Sequence, residues 1–190
     1  MITKNIICIG GYARSGKDTI ADYLIEHING DGASVIKLKF ADSLRNAIGN
    51  AYKSLRIDVN MNTEDNDEKK ALRGVMVSFG EYARSRNEDV FVDDVIDKMD
   101  KLSYDYFVIS DLRYSNEYSK IKKYCKINNH NFYFIDVTRK LNNPANEVEL
   151  INFDKVRLNR KDNNYTSITA DDGDLNELKT FSHKFYKSNK

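Results

Sequence analysis

The stretch Gly11-Tyr12-Ala13-Arg14-Ser15-Gly16-Lys17-Asp18-Thr19 puts four residues between two glycines and a lysine directly after the second glycine. That spacing suits one kind of chemistry, the cradling of a chain of phosphates. Glycine at 11 and 16 permits backbone dihedrals and a close approach that a side chain would block. The N–H groups of such a loop converge on phosphate oxygens, together with the N-terminus of the helix that follows. Lys17 adds a mobile point charge for the outer phosphates. Gly11, Ser15, Gly16, Lys17, Asp18 and Thr19 are therefore the candidate donor site. Asp18 stands where Ser or Thr usually holds Mg²⁺, and Thr19 comes one place late, so both are candidate metal ligands.

A second acid falls at the end of an apolar run, Phe107-Val108-Ile109-Ser110-Asp111. An aspartate there can hold Mg²⁺ directly or through water beside a phosphate loop; the plainer alternative is a helix cap or turn residue. Arg113 is placed to reach a phosphate or to anchor Glu117. Arginines recur along the chain: Arg14 inside the loop, then Arg45, Arg84, Arg86, Arg113 and Arg139, with Arg157 and Arg160 further on. Forked guanidinium groups suit a transferring phosphoryl group, whose charge spreads over its oxygens. Singly, each is as readily a solvated surface residue. As a set they point to two anionic ligands rather than one. Lys17, Arg14, Asp111 and Arg113 form the candidate catalytic group. His27, His130 and His183 have no acid or cysteine at ligand spacing and read as surface residues. Cys8 and Cys125 are far apart in sequence and read as reduced thiols rather than a disulfide or metal site.

These residues need elements to position them. Ile6–Ile9 reads as a strand entering the loop, and Ile20, Ala21, Leu24 and Ile28 recur at helical spacing behind it. Ser34–Phe40 reads as a second strand, followed by a helix with Asp42 or Ser43 near its N-cap. Leu55–Lys70 carries five acidic residues between Asp58 and Glu68 and few apolar anchors, so it reads as a mobile, solvated excursion. Ala71–Arg86 is helical, with Leu72, Val75, Met76, Phe79 and Tyr82 expected on one face. Another helix is expected around Phe91–Met99. Tyr106–Ser110 and Phe132–Val137 read as strands buried on both sheet faces. Asn116–Asn128 is a helix between them. Residues 138–164 turn polar and hold the only proline, Pro144. Ser167–Thr169 reads as a short last strand before a helix from Leu175 to about Tyr186.

Strands alternating with helices predict an α/β fold of three layers around a parallel five-stranded sheet. Ligands in such sheets bind at the carboxyl ends of the strands, where Gly11–Thr19 and Asp111 both fall. At 190 residues, 41% hydrophobic and 31% charged, one globular domain is expected. A net charge of +1 gives no overall field for nucleic acid or a membrane surface. No apolar run reaches signal or transmembrane length, so a cytoplasmic location is expected, or host cytoplasm if the chain is viral. Dimerisation is left open. No protein-kinase signature set is present and no GTPase switch motif is evident.

Taken together, the motifs resemble the phage-type deoxynucleoside monophosphate kinases, a branch of the P-loop nucleoside monophosphate kinase fold. The resemblance rests on Arg14–Thr19 with Ala21-Asp22, on Phe40-Ala41-Asp42-Ser43-Leu44-Arg45, on Val75–Gly80 with Arg84 or Arg86 and Val90-Phe91-Val92, and on Ile109-Ser110-Asp111-Leu112-Arg113 through Asn116-Glu117. Asp136-Val137-Thr138-Arg139 and Asp171-Asp172-Gly173 extend it. In that family an aspartate after the lysine is usual. Phe91 replaces a usual tryptophan, and Asn146-Glu147 stands where Ser or Thr precedes Glu. The resemblance implies ATP and Mg²⁺ as cofactors and a small-molecule nucleotide as the other substrate. It implies Arg14, Arg45, Arg84 or Arg86, Phe91, Arg113 and Glu117 at the acceptor. It implies Arg139, Asp172 and Gly173 near the adenine, residues 53–104 as the acceptor-binding part, and residues 139–164 as a lid. Another small-molecule kinase, such as a phosphomevalonate kinase, and a nucleotide-binding regulatory protein are the alternatives.

Overall fold

The apolar runs become strands that lie side by side in one direction. The computed structural model describes residues 3–63, 65–140, 143–144, 147–171 and 173–190. Strands β1 (Asn5–Gly10), β2 (Val35–Leu38), β3 (Tyr106–Leu112), β4 (Asn131–Arg139) and β5 (Tyr165–Ala170) form a five-stranded sheet in the order β2-β3-β1-β4-β5, every neighbouring pair parallel. The helices are α1 (Lys17–Gly30), α2 (Phe40–Ser54), α3 (Asn66–Arg86), α4 (Val90–Lys101), α5 (Ser115–Ile127), α6 (Glu147–Arg157) and α7 (Leu175–Ser188).

Side chains alternate across a strand, and here both faces are apolar. Ile7, Ile9, Val108, Ile135 and Val137 pack with Ile20, Leu24 and Ile28 of α1 and Leu178 and Phe185 of α7. Ile6, Cys8, Phe107, Ile109, Phe132 and Phe134 pack on the other side with residues of α2, α4, α5 and α6. The result is the expected three-layer α/β arrangement. Among the described residues no helix is long and apolar enough to cross a membrane.

The register gathers the site. Gly10, the last residue of the central strand β1, pairs with Leu112 of β3 and Asp136 of β4. The phosphate loop therefore leaves the sheet between Asp111 and Asp136.

Five local expectations change. Helix α2 starts at Phe40, directly after Lys39, so Asp42 lies inside its first turn rather than at its cap. Helix α3 starts at Asn66, where Asp65 accepts from the N–H groups of Asp67 and Glu68, so the irregular excursion ends five residues earlier than expected. The inward face of α3 carries Leu72, Met76, Gly80 and Ala83, whereas Val75, Phe79 and Tyr82 are exposed. The polar stretch after β4 contains α6, whose Phe153 and Val156 are fully buried. The histidines are also not all apart: the His27 and His183 rings meet edge to face with centroids 5.0 Å apart.

Candidate active site

Two cavities open on either side of the loop. The larger, about 650 Å³, lies between the loop, α2, α3, the end of β3 and the start of α6. The smaller, about 400 Å³, lies between the loop, the first turn of α1, Arg139 and the turn before α7. Arg14 lines both.

The loop itself is set by its glycines. Gly11 has φ 149°, and a Cβ there would stand 2.2 Å from the Val137 carbonyl oxygen. Gly16 has φ 96° and leads straight into α1. Arg14 takes φ 63°, a left-handed turn that a non-glycine residue adopts at a cost; Arg139 Nη1 donates to its carbonyl at 3.2 Å. Lys17 turns inward. Its Nζ donates to the Tyr12 carbonyl at 2.5 Å and approaches Ser15 Oγ at 3.5 Å. Burial, and then the charge of Arg113, depress this ammonium to about 8.

Asp18 and Thr19 line the smaller cavity. Asp18 accepts from Ser110 Oγ at 3.0 Å and pairs with Lys39 at 2.8 Å and Lys37 at 3.1 Å. Partial burial pushes its carboxyl up, but hydrogen bonds and charge from Lys39 and Lys37 outweigh it and hold it at about 2. Gly173 and Arg139 line the same cavity; Asp172 lies outside the described residues. The hard oxygens of Asp18 and Thr19 fit a hydrated Mg²⁺, which takes one or two protein ligands and completes its shell with water and substrate phosphate. Among the described residues no group of three or more His, Cys, Asp and Glu is arranged as a metal cage.

Asp111 lies in the wall of the larger cavity, and its two oxygens are already engaged. Oδ1 accepts from Phe40 N–H at 2.8 Å and Oδ2 from Ala41 N–H at 3.0 Å. A carboxylate from β3 thus caps α2, the work expected of Asp42 or Ser43. Two unpaired N–H groups and the positive end of the helix are matched in one step. Burial pushes the Asp111 carboxyl up, opposed by those same N–H groups.

The arginines separate. Arg14, Arg45, Arg84 and Arg113 line the larger cavity, with Phe91 and Glu117. Arg86, at the end of α3, does not line it. Arg84 lies over the rings of Tyr114 and Phe91, at 4.0 and 4.6 Å, and 3.5 Å from Glu117 Oε1. Glu117 is buried and accepts from the N–H groups of Arg113 and Tyr114 through Oε2. Burial pushes its carboxyl up to about 7. Arg45 lies 3.6 Å from Asp42 one turn along α2.

Of Arg157 and Arg160, which both fall within the 139–164 stretch expected to be a lid, Arg157 is an anchor. It donates to Asp136 at 3.0 Å, to Thr138 Oγ1 at 2.9 Å and to the Tyr12 hydroxyl at 3.1 Å. Tyr165 also donates to Asp136, which is 1% exposed. Phe153 sits against the Tyr12 ring and over Gly10, where a Cβ would come within 2.7 Å of its ring. The exposed Arg160 is the freer of the pair.

Several lining residues were not foreseen. Lys69, Arg73, Met61 and Thr63 line the larger cavity, and Lys37 and Lys39 hold Asp18. Glu149 is 8% exposed and reaches Ala13 and Arg113. The spacing of Glu149, Phe153 and Val156 at i, i+4 and i+7 fits one face of a helix, but two apolar positions are too few to set that helix apart in the sequence, and no spacing points to Ala13 or Arg113.

A parallel sheet of this order, a phosphate loop after its central strand and a cavity on each side of that loop define a P-loop kinase. The family model for phosphomevalonate kinase matches residues 9–127, from the end of β1 through α5. The chain belongs to that family. Among solved structures, a variant of the Mycobacterium tuberculosis APS kinase is similar at 13% identity, with 98% of this chain and 99% of that one covered and a TM-score of 0.53. The same enzyme in complex with AMPPNP and APS gives 12% identity, the same coverage and a TM-score of 0.52. At such identities the likeness is one of fold. A search of curated protein sequences gives no significant match.

Proposed function

We propose that the chain transfers the γ-phosphoryl group of ATP to the phosphate of a (deoxy)nucleoside monophosphate, yielding the diphosphate and ADP. The observation that carries this reading is the pair of cavities sharing one loop, with Arg14 in the wall of each. One loop then holds a donor and an acceptor phosphate at reacting distance, the positioning on which such transfers depend.

Lys17 leaves the Tyr12 carbonyl and binds the donor phosphates, aided by the loop N–H groups of Ser15 and Gly16. Asp18 and Thr19 would hold Mg²⁺, and Asp111, if it contributes, would do so through water; bound with ATP, that ion would neutralise charge on the outer phosphate oxygens. Arg139 and Gly173 flank the nucleoside of ATP. Arg14, Arg45 and Arg113 hold the acceptor phosphate. An oxygen of that phosphate bonds to the γ-phosphorus as the bond from phosphorus to the β,γ-bridging oxygen breaks and ADP leaves. A dianionic phosphate is its own nucleophile, so no side chain need remove a proton. Arg84 acts through Glu117 and the rings of Phe91 and Tyr114, setting the floor of the acceptor cavity.

Met61, Leu72, Met76, Val77 and Phe91 offer an apolar wall suited to the face of a base. Residues 53–104 would be the acceptor part. Within 139–164, the stretch before Phe153 would be the moving lid, because Phe153, Val156 and Arg157 are fixed to the core. The family match favours a second reading, phosphomevalonate as acceptor. Both readings are phosphoryl transfer to a phosphate.

ADP release from ATP-Mg²⁺ against each nucleoside monophosphate and against phosphomevalonate separates them. Stimulation of about a hundredfold or more by a nucleotide is expected, a small part of a kinase's full acceleration. Stimulation by phosphomevalonate alone would move the assignment to the second reading.

A further inference from the structure

Ala13 N–H and the Arg113 guanidinium are both anion-seeking groups, and both turn to the same atom. Glu149 Oε1 accepts from Ala13 N–H at 3.2 Å and lies 3.4 Å from Arg113 Nη1. Ala13, Arg14, Arg113 and Glu149 all line the larger cavity. Glu149 is delivered from a fixed base. One turn on, Phe153 is fully buried, then Val156, and Arg157 ties the end of α6 to Asp136, Thr138 and Tyr12.

We propose that Glu149 is an internal stand-in for the acceptor phosphate: in the empty site its carboxylate occupies the oxyanion position made by Ala13 N–H and Arg113, and an incoming phosphate displaces it. The inference rests on the reading of the larger cavity as the acceptor site. A carboxylate and a phosphate dianion cannot share one pair of donors, because like charges at such distances repel strongly in a half-enclosed site. The carboxylate also holds a half-buried loop N–H and a guanidinium aimed at one point. Displacement breaks the contacts of Glu149 with Ala13 and Arg113, so the arrival of a phosphate is felt in the first turn of α6. The selectivity that follows is by charge. A dianionic phosphate competes with Glu149 well, and a carboxylate or a neutral group competes poorly.

The test uses inorganic phosphate as the probe, with the donor site filled by saturating ADP and Mg²⁺. Glu149→Gln keeps the shape and one acceptor oxygen and removes the charge. Calorimetry should show phosphate binding about tenfold tighter in the variant, the worth of one charged contact. The acceptor KM should fall by a similar factor while that of ATP moves by less than about twofold. Unchanged or weaker phosphate binding overturns the proposal. If the variant does not fold, the wild-type chain supplies the answer by nuclear magnetic resonance. Added phosphate should shift the Ala13 amide and the Glu149 side-chain carboxyl carbon together; phosphate that binds and leaves Glu149 unmoved overturns the proposal. The phosphate measurement does not depend on which acceptor is turned over. Tighter phosphate binding with no stimulated ADP release in the acceptor panel sinks the substrate reading and leaves this one standing.

Discussion

Lys17 is held by the loop it serves. Its charged form is disfavoured in the folded chain, with the ammonium brought from 10.5 to about 8 by burial and by Arg113; a depression of that size corresponds to about 3 kcal/mol. The cost is full below pH 8, where folded and unfolded chains both carry the proton, and is relieved as pH rises from about 8 to 10.5. Lys17→Met should therefore hold or raise the Tm at pH 7 while turnover falls by about 10²- to 10³-fold. A lower Tm with normal turnover would take Lys17 out of the donor site. ATP brings opposite charge and returns the ammonium to its ordinary range. Calorimetry near pH 8.5 in buffers of different ionisation enthalpy should record uptake of on the order of half a proton per ATP, lost in Lys17→Met. At this scale the sequence was informative where chemistry is contiguous, as in Gly11–Thr19 and Asp111–Glu117. It was silent on Glu149, Lys37 and Lys39, because their partners Ala13, Arg113 and Asp18 are supplied by folding and not by spacing.

Helices α2 and α6 show how elements carry the site. The cap of α2 comes from β3, so Asp111 couples the strand beside the loop to the helix that bears Arg45. Asp111→Asn keeps one acceptor oxygen and turns an NH₂ group toward a helix N–H. A loss of about 1–2 kcal/mol in urea unfolding is expected, with a raised acceptor KM; full stability would show that the cap is dispensable. The second element is fastened by Arg157. Arg157→Met leaves the buried Asp136 with only the exposed Arg160, 4.0 Å away, and should cost about 3 kcal/mol, and adding Asp136→Asn should recover part of it. An additive double variant would deny that the two act as a pair. The strands were legible because a sheet covered on both faces demands apolar runs. Helix α6 was not, because only Phe153 and Val156 of its eleven residues join the apolar core. The α3 face was misjudged because its apolar residues outnumber the space beneath it, leaving Val75, Phe79 and Tyr82 outside.

Across the whole molecule, the family match ends at residue 127, yet α6 and α7, which wall the two cavities, come later. The matched part holds the loop and most of the larger cavity's wall; the rest completes both cavities. The seam between α1 and α7 is also where pH should act on the fold. Burial, and then His183, lower His27 below its ordinary range, with Glu26 and Asp31 opposing and Lys179 assisting, and His27 Nε2 is buried with no hydrogen-bond partner among the described residues. The unfolded chain takes up this proton more readily, so the contribution of His27 to stability falls as pH drops below about 6.5. Urea midpoints between pH 7.5 and 5.5 should fall in the wild type relative to His27→Gln, against the opposite trend that Glu117, held up at about 7, gives both chains; parallel curves would place the effect elsewhere. One further consequence lies at the contact between Gly10 and Phe153. Because no Cβ fits there, the two positions should change together over evolutionary time. A lineage that gains a side chain at 10 must shrink the rings at both 153 and 134, since a Cβ there also meets Phe134 at 2.8 Å, and the loss of Phe153 from the seat of α6 would retune access to the larger cavity without altering any residue that touches a phosphate.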